Sequence, residues 1–139
     1  MCVRDISGEC VAQKDITAWK VVMRGYLPSY LSQFTPSNRL PHGGTVLRYS
    51  IGKEVESPFS TTLGIFVYCN QISAIMDCIC GSSEAILEVT IPKGTKFKTG
   101  VVARNFAQPW PWRMCIMAEK IKVEKDVTTS TKKKYNATP

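Results

Sequence analysis

Apolar positions along the chain change period several times, and each change marks an element. Ile16-Thr17-Ala18-Trp19-Lys20-Val21-Val22-Met23-Arg24 is dense in β-branched and aromatic residues and stops at Gly25, which predicts a strand. Residues 27–46 carry Pro28, Pro36, Pro41, Gly43 and Gly44, the composition of a long loop with at most one helical turn near 29–34. Residues 45–51 alternate and end at Gly52, predicting a second strand, and Ser57-Pro58 makes a turn. The short apolar run at 63–68 suits a buried central strand. Asn70 is placed to cap a helix on which Ile72, Ile75, Met76 and Ile79 share one face, with Gly81 as its stop. Residues 84–91 read as a strand, Pro92-Lys93-Gly94 as a turn, and 95–98 as its hairpin partner. A further short strand is expected at 101–106. Two prolines around Trp110 exclude regular structure at 108–112. Residues 113–123 form the last strand, with a break near Glu119 where the apolar face shifts.

These elements predict an α+β class: a single domain with a twisted, mostly antiparallel sheet of about six strands and one main helix. The domain is expected to span residues 1–127, after an extended lead-in over 1–14. The Thr/Ser/Lys-rich stretch 128–139 is expected to be a disordered basic tail. A chain of 139 residues, 44% apolar and 21% charged, is sized for one domain with its own core. No apolar run approaches the roughly 20 residues that span a bilayer, and no signal pattern opens the chain. A cytoplasmic protein without membrane association is the expectation, with its six cysteines reduced. Cys78-Ile79-Cys80 lacks the spacing of a structural zinc site, so no metal is expected and buried thiols are read as small apolar groups. Exposed strand edges leave room for a homo-oligomer.

Charge alters this picture. Residues 1–92 hold seven Lys/Arg and eight Asp/Glu, whereas residues 93–125 hold eight Lys/Arg and two acids. The net charge of +7 is thus concentrated toward the C-terminus, a distribution that favours anionic partners. Within the basic part, Arg104 to Arg113 interleaves Trp110 and Trp112 with prolines. Stiffly held indoles lose little entropy on binding and offer faces for stacking, while neighbouring arginines pair with phosphate or carboxylate. The expected ligand-binding set is Arg104, Trp110, Trp112 and Arg113, joined by Arg48 and by His42 of the long loop. The expected partner is an anionic ligand such as a nucleotide or nucleic acid, or an acidic protein surface, with no cofactor and no catalysis.

Two resemblances bear on these residues. Trp19 to Val22, Tyr49 to Ser57, Gly64-Ile65-Phe66-Val67-Tyr68 with Ala74-Ile75, Leu87 to Thr95, and Arg113 to Val123 with its Ala118-Glu119-Lys120-Ile121 occur in an order that resembles a small family of phage and bacterial proteins, some of them beside pentapeptide repeats. Such membership implies a phage-encoded modulator of host machinery or defence, acting in the host cytoplasm. A fainter likeness is to ADP-ribosyltransferases of the arginine–serine–glutamate type, carried by Arg24-Gly25 and Phe59-Ser60-Thr61-Thr62. That likeness implies NAD as cofactor, Arg24 on its phosphates, Ser60 orienting the ribose and a carboxylate such as Glu119 at the reacting carbon. The chain departs from the pattern in having no Glu-x-Glu after the Phe59-Ser60-Thr61-Thr62 segment: Glu84 and Glu88 are four apart, and Glu119 and Glu124 five apart. A structural or interaction module without a small ligand is the remaining alternative.

Overall fold

Strands form where the period-2 pattern is longest. The computed structural model describes residues 3–4, 6–24, 30–32, 47–57, 64–77, 84–102 and 113–130. In chain order its elements are β1 (Val3–Arg4), β2 (Cys10–Val11), β3 (Ile16–Arg24), β4 (Tyr30–Ser32), β5 (Arg48–Tyr49), β6 (Glu54–Glu56), β7 (Ile65–Tyr68), α1 (Gln71–Asp77), β8 (Glu84–Ile91), β9 (Lys96–Val102), β10 (Arg113–Ala118) and β11 (Lys120–Asp126). Every strand pairing is antiparallel. Among the described residues the sheet has eleven strands rather than about six. The excess lies in β1, β2, β4 and β6, which are two or three residues long and too short to show any period, and in the division of the last strand into β10 and β11, while the strand expected at 45–51 is β5, two residues long.

β3 pairs with β8 along eight residues, from Ile16↔Ile91 to Met23↔Glu84. β8 pairs with β11, and β10 pairs with β7 from Cys115↔Tyr68 to Ala118↔Ile65. β10 and β11 are one segment, interrupted only at Glu119, where the sequence predicts the break. β7 meets β3 at a single pair, Trp19↔Tyr68, so the hydrogen-bonded path β10–β7–β3–β8–β11 closes on itself. Its interior is filled by Ala18, Val22, Ile65, Val67, Leu87, Val89, Ile91, Ile116, Ala118, Ile121 and Val123. Gly64, at φ +108, lets this closure happen: a Cβ there would lie 2.7 Å from the Ala118 carbonyl oxygen.

Beyond Trp19 the same edge of β3 changes partner, pairing Val22–Arg24 with β4, which in turn pairs with β5. β3 is therefore forked, with β7 leaving on one branch and β4–β5 on the other.

α1 lies on the outer face with Val21, Tyr68, Ala74, Ile86 and Val127. Asn70 caps it, its Oδ1 accepting from the Ser73 amide at 2.8 Å. The buried stripe differs from the expected one. Ile72 is 60% exposed, while Ser73 and Ala74 are buried, because small side chains let the short helix approach the sheet closely. Ile79 lies outside the described residues.

Two further expectations change. The turn at Pro92, closed by the Thr95 amide on the Pro92 carbonyl at 3.1 Å, does not fold β9 back on β8. It carries the chain to β10, so the expected hairpin is absent and β9 runs unbroken through residues 96–102. The fold also continues past residue 127: Thr128 is buried and accepts the Ile86 amide at 2.8 Å. Among the described residues, no helix is long and apolar enough to cross a membrane.

Candidate functional site

An alternating strand with an apolar interior should place an aliphatic residue between Ala18 and Val22. This chain has Lys20 there, only 9% exposed. Its ammonium donates to the Phe66 carbonyl at 2.7 Å and sits 5.6 Å from the centre of the Tyr49 ring. The cause is the fork. Past Trp19↔Tyr68 the backbones of β3 and β7 separate, the Phe66 carbonyl loses its ladder position, and the lysine supplies the donor. The buried charge is favoured by the Tyr49 π face.

Arg24 lies four residues further on the same face of β3, at the strand's end. The register sets it opposite Tyr30, and Tyr30 opposite Tyr49. One branch of the fork therefore aligns two cations and two phenols. Asp126, at the end of β11, closes this row: Arg24 Nη2 is 3.6 Å from its Oδ2, and the Tyr30 hydroxyl donates to the same oxygen at 2.9 Å. Its other oxygen, Oδ1, accepts from the Thr128 amide and hydroxyl.

Protonation follows from these contacts. Burial alone would raise the Asp126 carboxyl, but the Thr128 hydroxyl and amide, the Tyr30 hydroxyl and the Arg24 guanidinium outweigh it and hold the group below its ordinary value. Burial, then the bond and charge of Asp126, push the Tyr30 phenol up, with Arg24 opposing. The site thus holds a carboxylate against a guanidinium and a protonated phenol at neutral pH. Elsewhere, burial raises the Cys69 thiol, and burial together with Cys69 pushes Cys115 up to about 12 against a Gly100 backbone bond that lowers it. Both stay protonated at neutral pH and are poor nucleophiles. Among the described residues no group of three metal-ligating side chains gathers.

Of the residues selected from sequence, His42, Ser60, Arg104, Trp110 and Trp112 lie outside the described residues. Arg48 is exposed on β5 beside Tyr49, in the row Arg48–Leu31–Met23. Arg113 opens β10 two positions before the row Cys115–Tyr68–Trp19. Along β3 these rows are six residues apart, about 20 Å, so the fold does not bring Arg48 and Arg113 together. Nor does it bring Arg24 to Glu119, which precedes Asp126 by seven residues of extended chain, again about 20 Å. The carboxylate that meets Arg24 is Asp126. Sequence reasoning missed Lys20, Tyr30, Tyr49, Asp126 and Thr128. For Lys20 the signal was present, as a lysine at an inward position of an apolar strand.

The concentrated C-terminal charge is also redistributed by pairing. Lys120 and Lys122 stand opposite Glu56 and Glu54 across β11–β6, and ion pairs join Lys120 to Glu54, Lys125 to Glu88 and Lys96 to Glu9. Thirteen Lys/Arg and ten Asp/Glu fall among the described residues, a net +3 of the chain's +7. The described part of the sheet is therefore a mixed-charge surface and not a basic one. No family model, no curated protein and no solved structure matches this chain.

Proposed function

We propose that this is a non-enzymatic binding protein whose forked strand takes a small anionic ligand of the nucleotide class. One observation carries the reading: Arg24, Tyr30 and Tyr49 stand in one cross-strand row at the branch of β3, with the Lys20 ammonium 5.6 Å from the Tyr49 ring, where an aliphatic interior would otherwise continue. A guanidinium and a phenolic hydroxyl side by side supply the donors that a phosphate or carboxylate needs, and the half-buried Tyr30 ring offers a surface for a base. Exposed Arg48 flanks the row and adds a long-range attraction for anions. The pairing of lysines with acids on β6, β8 and β11 favours a small ligand over an extended polyanion, which needs a continuous basic track.

The test is a calorimetric titration with pyrophosphate, ATP, NAD and a single-stranded oligonucleotide, in low and in physiological salt. Nucleotide binding is expected, and Arg24→Ala should weaken it about tenfold or more, the loss of a charged hydrogen bond worth roughly 1.5–3 kcal/mol. If none of the four probes binds, or if Arg24→Ala binds as well as the native chain, this site is not the ligand site.

A further inference from the structure

The row at the fork is already occupied by an anion from its own chain. Asp126 presents Oδ2 to both Arg24 and Tyr30, while Oδ1 is fixed by Thr128. Thr128 in turn accepts the Ile86 amide, and the Val127 amide donates to the Ile86 carbonyl at 2.9 Å. One carboxylate therefore links the donors of the fork to the segment that follows β11.

We infer that Asp126 is an intramolecular competitor: an anionic ligand enters by displacing its carboxylate from Arg24 and Tyr30, and this loosens residues 127–130 from β8. The inference rests on the binding reading above. Its physical basis is that the two donors cannot serve two anions at full strength, and that like charges placed beside one guanidinium repel. With side-chain exposures of 43% for Arg24 and 28% for Asp126, the ion pair is partly solvated, so it is displaceable and not a sealed core bridge. By linkage, whatever weakens the clasp must strengthen the ligand, and ligand must weaken the clasp by the same factor.

The experiment is a pyrophosphate titration of four chains, with hydrogen exchange at the Ile86 and Thr128 amides measured with and without ligand. The chains are the native one, Asp126→Asn, Glu124→Gln and Arg24→Ala. The amide of Asp126→Asn keeps an acceptor for Thr128 and loses the charge, and affinity should rise about fivefold, which corresponds to about 1 kcal/mol. Glu124→Gln makes the same change of net charge two positions away and should raise affinity by less than about twofold. Pyrophosphate should speed exchange at Ile86 and Thr128 in the native chain. If the native chain binds in an Arg24-dependent way but Asp126→Asn binds no tighter than Glu124→Gln, the competitor is refuted while the binding site stands. If Asp126→Asn fails to fold, unchanged or slowed exchange in the liganded native chain refutes it. If neither the native chain nor Asp126→Asn binds pyrophosphate, the binding reading fails and the inference falls with it.

Discussion

Three glycines separate the cost of backbone conformation from the cost of close approach. Gly52, Gly64 and Gly94 all have positive φ, at 83°, 108° and 88°. A Cβ on Gly52 or Gly94 would meet nothing within 4 Å, whereas on Gly64 it would lie 2.7 Å from the Ala118 carbonyl oxygen and 3.0 Å from its carbon. Alanine at either open position should cost only the left-handed conformation, about 1–2 kcal/mol. At Gly64 the neighbour is backbone, on the strand that bends at Glu119, and cannot rotate away. Relieving the overlap must separate β7 from β10, which adds about 1–3 kcal/mol. Gly64→Ala should therefore cost about 2–5 kcal/mol, a large share of the roughly 5–15 kcal/mol that holds a domain folded. Urea denaturation followed by far-UV circular dichroism gives the three midpoints. A Gly64→Ala chain as stable as Gly94→Ala, within about 1 kcal/mol, would refute the close approach of β7 to the bend.

Other consequences are measurable on the same curves. Thr95 is 6% exposed and its hydroxyl is buried without a partner among the described residues. Thr95→Val keeps the shape and removes the orphan, so it should stabilise by about 1–2 kcal/mol in thermal melts, and a loss of stability would mean the hydroxyl is bonded in solution. Lys20→Met keeps the stem and strips the donor from the Phe66 carbonyl, with an expected loss of about 1–3 kcal/mol; an unchanged urea midpoint would show that the ammonium does not hold the fork. The depressed Asp126 carboxyl contributes stability that is complete above the unfolded aspartate value of about 3.9 and is lost as pH falls through the folded value. The raised Tyr30 phenol acts at the other end, with stability lost as pH rises through its folded value. Asp126→Asn should flatten the acidic loss in pH-dependent melts, and an unaltered acid limb would remove Asp126 as its source.

The long strands were legible because they are dense in β-branched and apolar residues, as strands covered on both faces are. Ile16–Arg24 and Glu84–Ile91 match the pattern in full, and the break at Glu119 follows from the shift of apolar parity between Ile116 and Ile121. Pairing was not legible. Pro92-Lys93-Gly94 has the composition of a hairpin turn, yet nothing local tells β9 whether to lie on β8 or to cross to β10. On the helix Ile75 packs on the sheet as its spacing predicts, whereas Ile72 is exposed and the space above the sheet admits Ala74. At the candidate site, Arg24 was singled out only through the Arg24-Gly25 likeness to ADP-ribosyltransferases. Its partners Tyr30 and Asp126 are 96 residues apart in the chain, a distance over which only the fold makes them neighbours. Charge was misread for the same reason: Lys120 and Lys122 belong to a basic segment in sequence and to an acidic edge, Glu54–Glu56, in space.

The segment from Arg113 to Asp126 seals the sheet against β7 with its first half and against β8 with its second. It is also the last of the described strands to be made. During synthesis β7 and β8 must wait with open hydrogen-bonding edges until residue 126 has left the ribosome, so the ring cannot close co-translationally one hairpin at a time. Contacts of such long sequence separation make folding slow and leave the nascent chain open to strand exchange with its neighbours. A release of the chain before residue 113 should therefore yield an aggregating fragment and not a smaller domain.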